Sequence, residues 1–117
     1  MEINKEVLKG HIDTLLLSLL HRRDMYGYEL AKIVREKSKN QFELKEATLY
    51  LSLKRLEKSG WVSSYWGDEQ GPGGRRKYYM VTPLGMKGLE EKRKEWQFVK
   101  EMMDSFLGGG EADESNR

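Results

Sequence analysis

Lys45-Glu-Ala-Thr-Leu-Tyr-Leu-Ser-Leu-Lys-Arg-Leu-Glu-Lys-Ser-Gly60 places Leu49, Leu53 and Leu56 at i, i+4 and i+7. A helix over this segment therefore has one apolar stripe, and Gly60 is placed to end it. At 100° per residue the opposite face carries Ala47, Leu51, Lys54, Arg55 and Lys58, with Thr48 and Ser52 on one flank and Tyr50 on the other. Cations, hydroxyls and a phenol on an outward face can reach phosphates or base edges. Taken alone, the pattern also fits a solvated amphipathic helix with no ligand. The neighbouring segments separate these readings.

Downstream of Gly60 the period changes. Trp61-Val-Ser-Ser-Tyr-Trp66 is rich in β-formers, Gly67 to Gly74 is glycine-rich, and Arg75-Arg-Lys-Tyr-Tyr-Met-Val81 is β-prone again. This predicts a β-hairpin with a long tip. Arg75, Arg76 and Lys77 lie at the end of that tip, where cations can grip phosphates or enter a minor groove, and the N–H groups of Gly73 and Gly74 can approach phosphate oxygens without a Cβ in the way. The alternative for the tip is a solvated hairpin end. Upstream, Leu8, Ile12, Leu15, Leu16, Leu19 and Leu20 share one face of a helix over about 3–21, with Val7 and Leu17 off that stripe and available to another subunit. His21-Arg-Arg-Asp24 closes this helix, with Asp24 as a candidate cap for a second helix over 26–38. Gly27 at its start suits close packing or an ordinary helix entry. Phe42-Glu-Leu44 alternates as a very short strand does. A short connection into the helix that opens this section, followed at once by a hairpin, predicts a winged helix-turn-helix.

Thr82-Pro83 then supplies an N-cap and a proline for the first helical position. In the helix that follows, over 83–107, Leu89, Trp96 and Met103 are seven apart, and Val99 and Phe106 occupy the matching d positions, so the seam calls for a partner. Gly85 and Gly88 weaken its first turns, which predicts support from neighbours there. Residues 108–117 read as a flexible acidic tail. The fold class expected is thus mainly α with a small β-hairpin: a winged helix-turn-helix over 1–82, a long C-terminal dimerisation helix over 83–107, and the tail.

The 117-residue length leaves room for one compact domain, and a 38% hydrophobic content against 34% charged leaves a small core, which favours a core shared between two copies. Net charge is only +2, but residues 1–82 hold 15 Lys and Arg against 11 Asp and Glu, whereas residues 83–117 hold 6 against 8. The basic excess therefore lies with the proposed reading head. No Cys is present, which excludes a disulfide framework and suits a reducing cytosol. The most apolar run, Leu15 to Leu20, is too short to span a bilayer, and the N-terminus lacks signal-peptide organisation, so a cytoplasmic protein with no membrane partner is expected. An enzyme is not expected. His11 and His21 are ten apart without metal-ligand spacing, and Gly71-Pro-Gly-Gly74 is turn chemistry with no Gly-Lys-Ser/Thr after it. No metal or cofactor is expected.

Met25-Tyr-Gly-Tyr-Glu-Leu30, Thr48-Leu-Tyr50, Leu53-Lys-Arg-Leu-Glu57, Gly60, Arg76-Lys-Tyr-Tyr79 and Val81-Thr-Pro-Leu-Gly85 together resemble the PadR family of transcriptional regulators, specifically its short members with a single C-terminal helix. The resemblance covers about 10–96. It implies a winged-helix homodimer that represses transcription by binding palindromic double-stranded operator DNA, released in several members by a small planar aromatic or drug-like effector. It carries the DNA role onto Thr48, Tyr50, Lys54, Arg55 and Arg75 to Lys77, with Ser52, Lys58 and the backbone of Gly74 beside them. Short members similar to this chain hold flat aromatics between paired tryptophans, which points to Trp96, with Val99 and Met103, as effector contacts; the alternative for Trp96 is a large packed core residue. The dimer contacts expected are Val7, Leu17, Leu89, Trp96, Val99, Met103 and Phe106. Two positions depart from the family pattern, Ala47 for its glycine and Leu51 for its proline, and both fall on the outward face. Leu51 there suits a thymine methyl or an altered operator. It equally suits the competing reading, a winged helix that docks on a protein and binds no DNA.

Overall fold

The computed structural model describes residues 5–68 and 73–108. In chain order these form α1 (Lys5–Lys9), α2 (Ile12–Leu20), β1 (Met25–Tyr26), α3 (Gly27–Lys37), α4 (Glu46–Lys58), β2 (Val62–Trp66), β3 (Lys77–Val81) and α5 (Pro83–Phe106). The hairpin tip around Glu69–Pro72 and the tail beyond Gly108 lie outside the described residues.

The centre of the molecule is α2. Leu16, Leu17 and Leu20 are fully buried, because α3, α4, α5 and β3 all pack around this one short helix. A helix enclosed on several sides is apolar on several sides. That corrects the expectation for Leu17: it lies off the main stripe because it meets a second layer of its own chain, and it is unavailable to a partner subunit. The single helix expected over 3–21 is two helices, with a turn at Gly10–His11 where the His11 N–H donates to the Leu8 carbonyl at 2.8 Å.

Leu49, Leu53 and Leu56 of α4 enter the same core, together with Leu30 and Val34 of α3. The end of α4 follows the sequence closely. Gly60 takes φ +81°, its N–H donates to the Glu57 carbonyl, and the Trp61 N–H reaches back to the Leu56 carbonyl at 3.0 Å. This double bond pattern satisfies the orphan carbonyls and needs a left-handed residue at Gly60.

The hairpin is part of a three-stranded antiparallel sheet in the order β1-β3-β2. The two-residue strand β1 pairs Met25 with Tyr79 and Tyr26 with Tyr78, while β2 pairs Ser64 with Tyr79 and Tyr65 with Tyr78. Met25 and Tyr79 face the core. The next register row, Tyr26–Tyr78–Tyr65, lies on the opposite face of the sheet. Phe42-Glu-Leu44 is not a strand. Its two apolar side chains are buried from a loop, so its alternation reports anchoring and not pairing. Asp24 does not cap α3 either. The Tyr26 N–H at the helix start donates to the Glu29 carboxylate at 3.2 Å, and Asp24 instead accepts from the Tyr65 hydroxyl at 2.6 Å.

Thr82 caps α5 as expected, its hydroxyl oxygen accepting from the Gly85 N–H at 3.0 Å with Pro83 in the first turn. The first turns lean on Trp61. A Cβ on Gly85 would overlap the Trp61 carbonyl, and one on Gly88 would sit 2.5–2.7 Å from the Trp61 ring. Leu89 is buried against this body, which removes it from the expected dimer seam. From Arg93 onward every described residue of α5 is exposed. No helix among the described residues is long and apolar enough to cross a membrane.

Candidate nucleic-acid interface

With Leu49, Leu53 and Leu56 turned inward, α4 presents Ala47, Thr48, Tyr50, Leu51, Lys54, Arg55 and Lys58 to the exterior. Leu51 is 64% exposed. Tyr50 is positioned by a glycine, since a Cβ on Gly27 would overlap the Tyr50 hydroxyl. The close approach locks the start of α3 against the phenol. Lys54 and Lys58 engage no acidic side chain among the described residues.

Ser52 must be corrected. It is 1% exposed and donates its hydroxyl to Asp13 of α2, so it cannot meet DNA. Three residues after Leu49 and four before Leu56, it lies at the edge of the apolar stripe, where a buried hydroxyl requires a partner. The same carboxylate receives Arg55 as a fork, with Nε to Oδ2 at 3.0 Å and Nη2 to Oδ1 at 2.7 Å. Burial alone would push the Asp13 carboxyl up, but the hydrogen bonds from Arg55 and Ser52 and the charges of Arg55 and Lys92 outweigh it and hold the carboxyl below its ordinary value. Arg55 is correspondingly raised by its hydrogen bond to Asp13.

A depressed carboxyl stabilises the fold above its unfolded-state pKa of about 3.9 and loses that contribution as pH falls through the folded-state value. Wild-type protein should therefore lose stability below about pH 4, and Asp13→Asn should be less stable at pH 7 but show a flatter acid limb. Urea midpoints of both proteins from pH 7 to pH 3 check this. Parallel curves would remove Asp13 from the acid response.

At the wing, the Gly67 N–H donates to the Arg76 carbonyl at 2.7 Å, and Arg75 Nε donates to the Gly67 carbonyl at 2.8 Å. These bonds close the base of the hairpin beyond the last ladder pair, Trp66–Lys77. The Arg76 guanidinium stacks on the Tyr26 ring at 4.6 Å from its centroid, and the Lys77 ammonium lies 6.0 Å from the Trp66 ring. Arg75, Arg76 and Lys77 all remain exposed, as does Gly74, at φ +76°. Arg76 rests on a tyrosine cluster that no local sequence signal marks. Tyr26 stands edge-on to Tyr78 at 5.5 Å, Tyr65 stacks on Tyr78 at 5.7 Å, and Tyr28 stacks on Tyr26 at 6.5 Å. The β2–β3 ladder sets Tyr65 beside Tyr78, and the unforeseen strand β1 adds Tyr26 and with it Tyr28.

The residues expected to meet an effector or a second copy lie on α1, α2 and α5. Trp96 and Val99 line a cleft of about 450 Å³ with Leu8, His11, Leu15 and Lys92. His11 meets the half-exposed Trp96 edge-on at 5.5 Å, so Trp96 is not a packed core residue within its own chain. Met103 does not line this cleft. Val7, Val99, Met103 and Phe106 are exposed apolar residues, a pattern that an interface between copies would cover. No cluster of three or more His, Cys, Asp or Glu side chains among the described residues is placed to hold a metal ion.

A family model described as the transcriptional regulator PadR-like family matches residues 16–91. A solved transcriptional regulator from Clostridium thermocellum superposes with a TM-score of 0.82 at 42% identity, covering 90% of this chain and 98% of that one. A PadR family transcription regulator from Clostridium difficile R20291 gives a TM-score of 0.74 at 51% identity over 84% of this chain and 99% of its own. An uncharacterized protein of Lysinibacillus sphaericus is 42% identical over 107 residues, 92% of this chain and 97% of that protein.

Proposed function

The chain belongs to the PadR-like family of transcriptional regulators, and from that premise we propose that it is a cytoplasmic, homodimeric repressor of palindromic operators. The observation that carries this reading is the outward face of α4. Thr48, Tyr50, Lys54 and Lys58 are exposed there on a helix whose other face is fixed in the core. A rigid helix with a polar, cationic exterior suits a major groove, and the basic hairpin beside it suits the flanking phosphates. Residues 1–82 read the duplex in this account. Residues 83–107 dimerise, through the exposed seam of Trp96, Val99, Met103 and Phe106, and two reading heads related by a two-fold axis require half-sites about one helical turn apart.

Selection of genomic fragments by the purified full-length protein at low salt, followed by sequencing, tests the proposal. Enrichment of a short inverted repeat is expected. Recovery of fragments without a shared motif would count against an operator, and recovery of none would count against DNA binding. The exposure of Leu51 favours one second reading, docking of α4 on a protein partner. Under that reading a complex would form with a protein, insensitive to salt, and none with DNA.

The cleft beside Trp96 supports release by a planar aromatic effector, with Trp96 and Val99 as contacts. Trp96→Ala is expected to weaken binding of a planar aromatic dye about fivefold or more, the worth of roughly 1–3 kcal/mol of lost stacking, while changing operator affinity less. Isothermal titration with the dye and a duplex gel shift give the two numbers. Equal losses would make Trp96 a dimer residue only.

A further inference from the structure

Among the cations on the exterior of α4, Arg55 is distinguished by having an acid partner. Lys54 and Lys58 reach outward without one among the described residues, whereas Arg55 is held by both oxygens of Asp13. Asp13 is not a mobile surface acid. It sits in the first turn of α2, its side chain is 23% exposed, and Ser52, one turn before Arg55 on the same helix, donates to it from within the core. The carboxylate is thus fixed by α2 and by the buried edge of α4, and the guanidinium is fixed by the carboxylate. Moving Arg55 to a phosphate would strip a partly buried anion of its cation at the moment a polyanion approaches. The pairing opposes that exchange.

We propose that Asp13 is a positioning residue that lowers the sequence-independent affinity of the DNA-reading helix, by withholding the charge of Arg55 from the phosphate backbone. The proposal rests on the DNA-binding reading above. Phosphate contacts bind every sequence alike, so a cation withheld from the backbone lowers affinity for random duplex and operator by about the same factor and leaves binding to rest more on Thr48, Tyr50 and Lys54. Asp13 touches no DNA in this scheme. It acts on the ligand through Arg55, whose length and fork geometry let it be parked beside α2.

The test uses full-length protein, with a random-sequence duplex and the selected operator as probes, each titrated at several salt concentrations. Folding of every variant is checked by circular dichroism at the assay temperature. Asp13→Asn is expected to raise affinity for both probes several-fold and to steepen the salt slope of each by about 0.9, the mark of one added phosphate contact. In the Arg55→Gln background the same substitution should leave the slope unchanged. A carboxylate that merely repelled DNA, or merely held the helices together, would produce the same change in both backgrounds, or none in either, and each of these outcomes overturns the proposal. Should Asp13→Asn prove unfolded, Asp13→Glu provides the second variant: it keeps the charge but displaces the carboxylate, and it is expected to raise random-duplex affinity as well. A wild-type slope and affinity retained in folded Asp13→Glu would overturn the proposal. Wild-type protein that binds neither probe overturns the DNA-binding reading and this inference together, whereas wild-type binding with an unresponsive Asp13 overturns this inference alone.

Discussion

Leu53→Ala is expected to lower stability by about 2–5 kcal/mol, the usual cost of a cavity left by a buried leucine. Leu53 is almost fully buried, between Leu49 and Leu56 on the stripe that fixes α4 to α2 and α3. Removing three carbons there leaves a void that α4 cannot close without tilting, because Ser52 and Arg55 anchor it to Asp13 on one side and Tyr50 rests on Gly27 on the other. Urea unfolding at one fixed protein concentration measures the loss, the concentration being held because a dimer's stability depends on it. A change under ~0.5 kcal/mol, typical of surface substitutions, would mean that α4 is not held by this stripe.

One residue further on, the opposite outcome is expected. Lys54 points outward, so Lys54→Ala should leave stability within about 0.5 kcal/mol and weaken duplex binding. Arg76→Ala should behave similarly, with some loss of wing order because Arg76 stacks on Tyr26. Each cation is worth roughly tenfold or more in affinity if it makes a charged hydrogen bond of ~1.5–3 kcal/mol, and each phosphate contact removed should flatten the salt slope by about 0.9 per site. The double variant should lose both increments, since the two residues lie on different elements and share no partner. Gel shifts over a salt series, with the unfolding curves alongside, separate the two effects. Lost affinity that tracked lost stability would assign Lys54 to the fold and not to the ligand.

The contrast between neighbouring residues explains how far the sequence could be read. Period 3.6 with a terminating glycine located α4 and its inward face, and the change to β-formers followed by Thr82-Pro83 located the hairpin and the start of α5. Those signals are local, carried by residues within a turn or two of one another. What lay beyond them depends on contacts between distant segments. Strand β1 is two residues long, too short for alternation to register, and only its pairing with β3 reveals it. Asp13 is 42 positions from Arg55, and no spacing rule connects a first-turn acid on one helix with a last-turn arginine on another. By helical angle Ser52 falls on a flank of the outward face; the buried acceptor that draws it inward, Asp13, lies on another helix and leaves no local signal. Leu17 points to a dimer because it lies off the main stripe of its helix, and Leu89 because it begins the heptad seam of α5, yet both are buried within the chain. Apolar surface beyond one stripe signals a second layer, and sequence alone does not say whether that layer is another subunit or the remainder of the same chain.

Presentation of Lys54 and Lys58 of α4, and of the basic wing, to duplex DNA underlies the proposed function. Its most direct test is the affinity of the wild-type protein for the selected operator at five or six salt concentrations between 50 and 300 mM, values of roughly the range over which counterion release is resolved. A straight line of log K against log salt is expected, with a slope of about −4.5 or steeper, the signature of about five or more phosphates neutralised. A slope near zero, or no complex at the lowest salt, would contradict it.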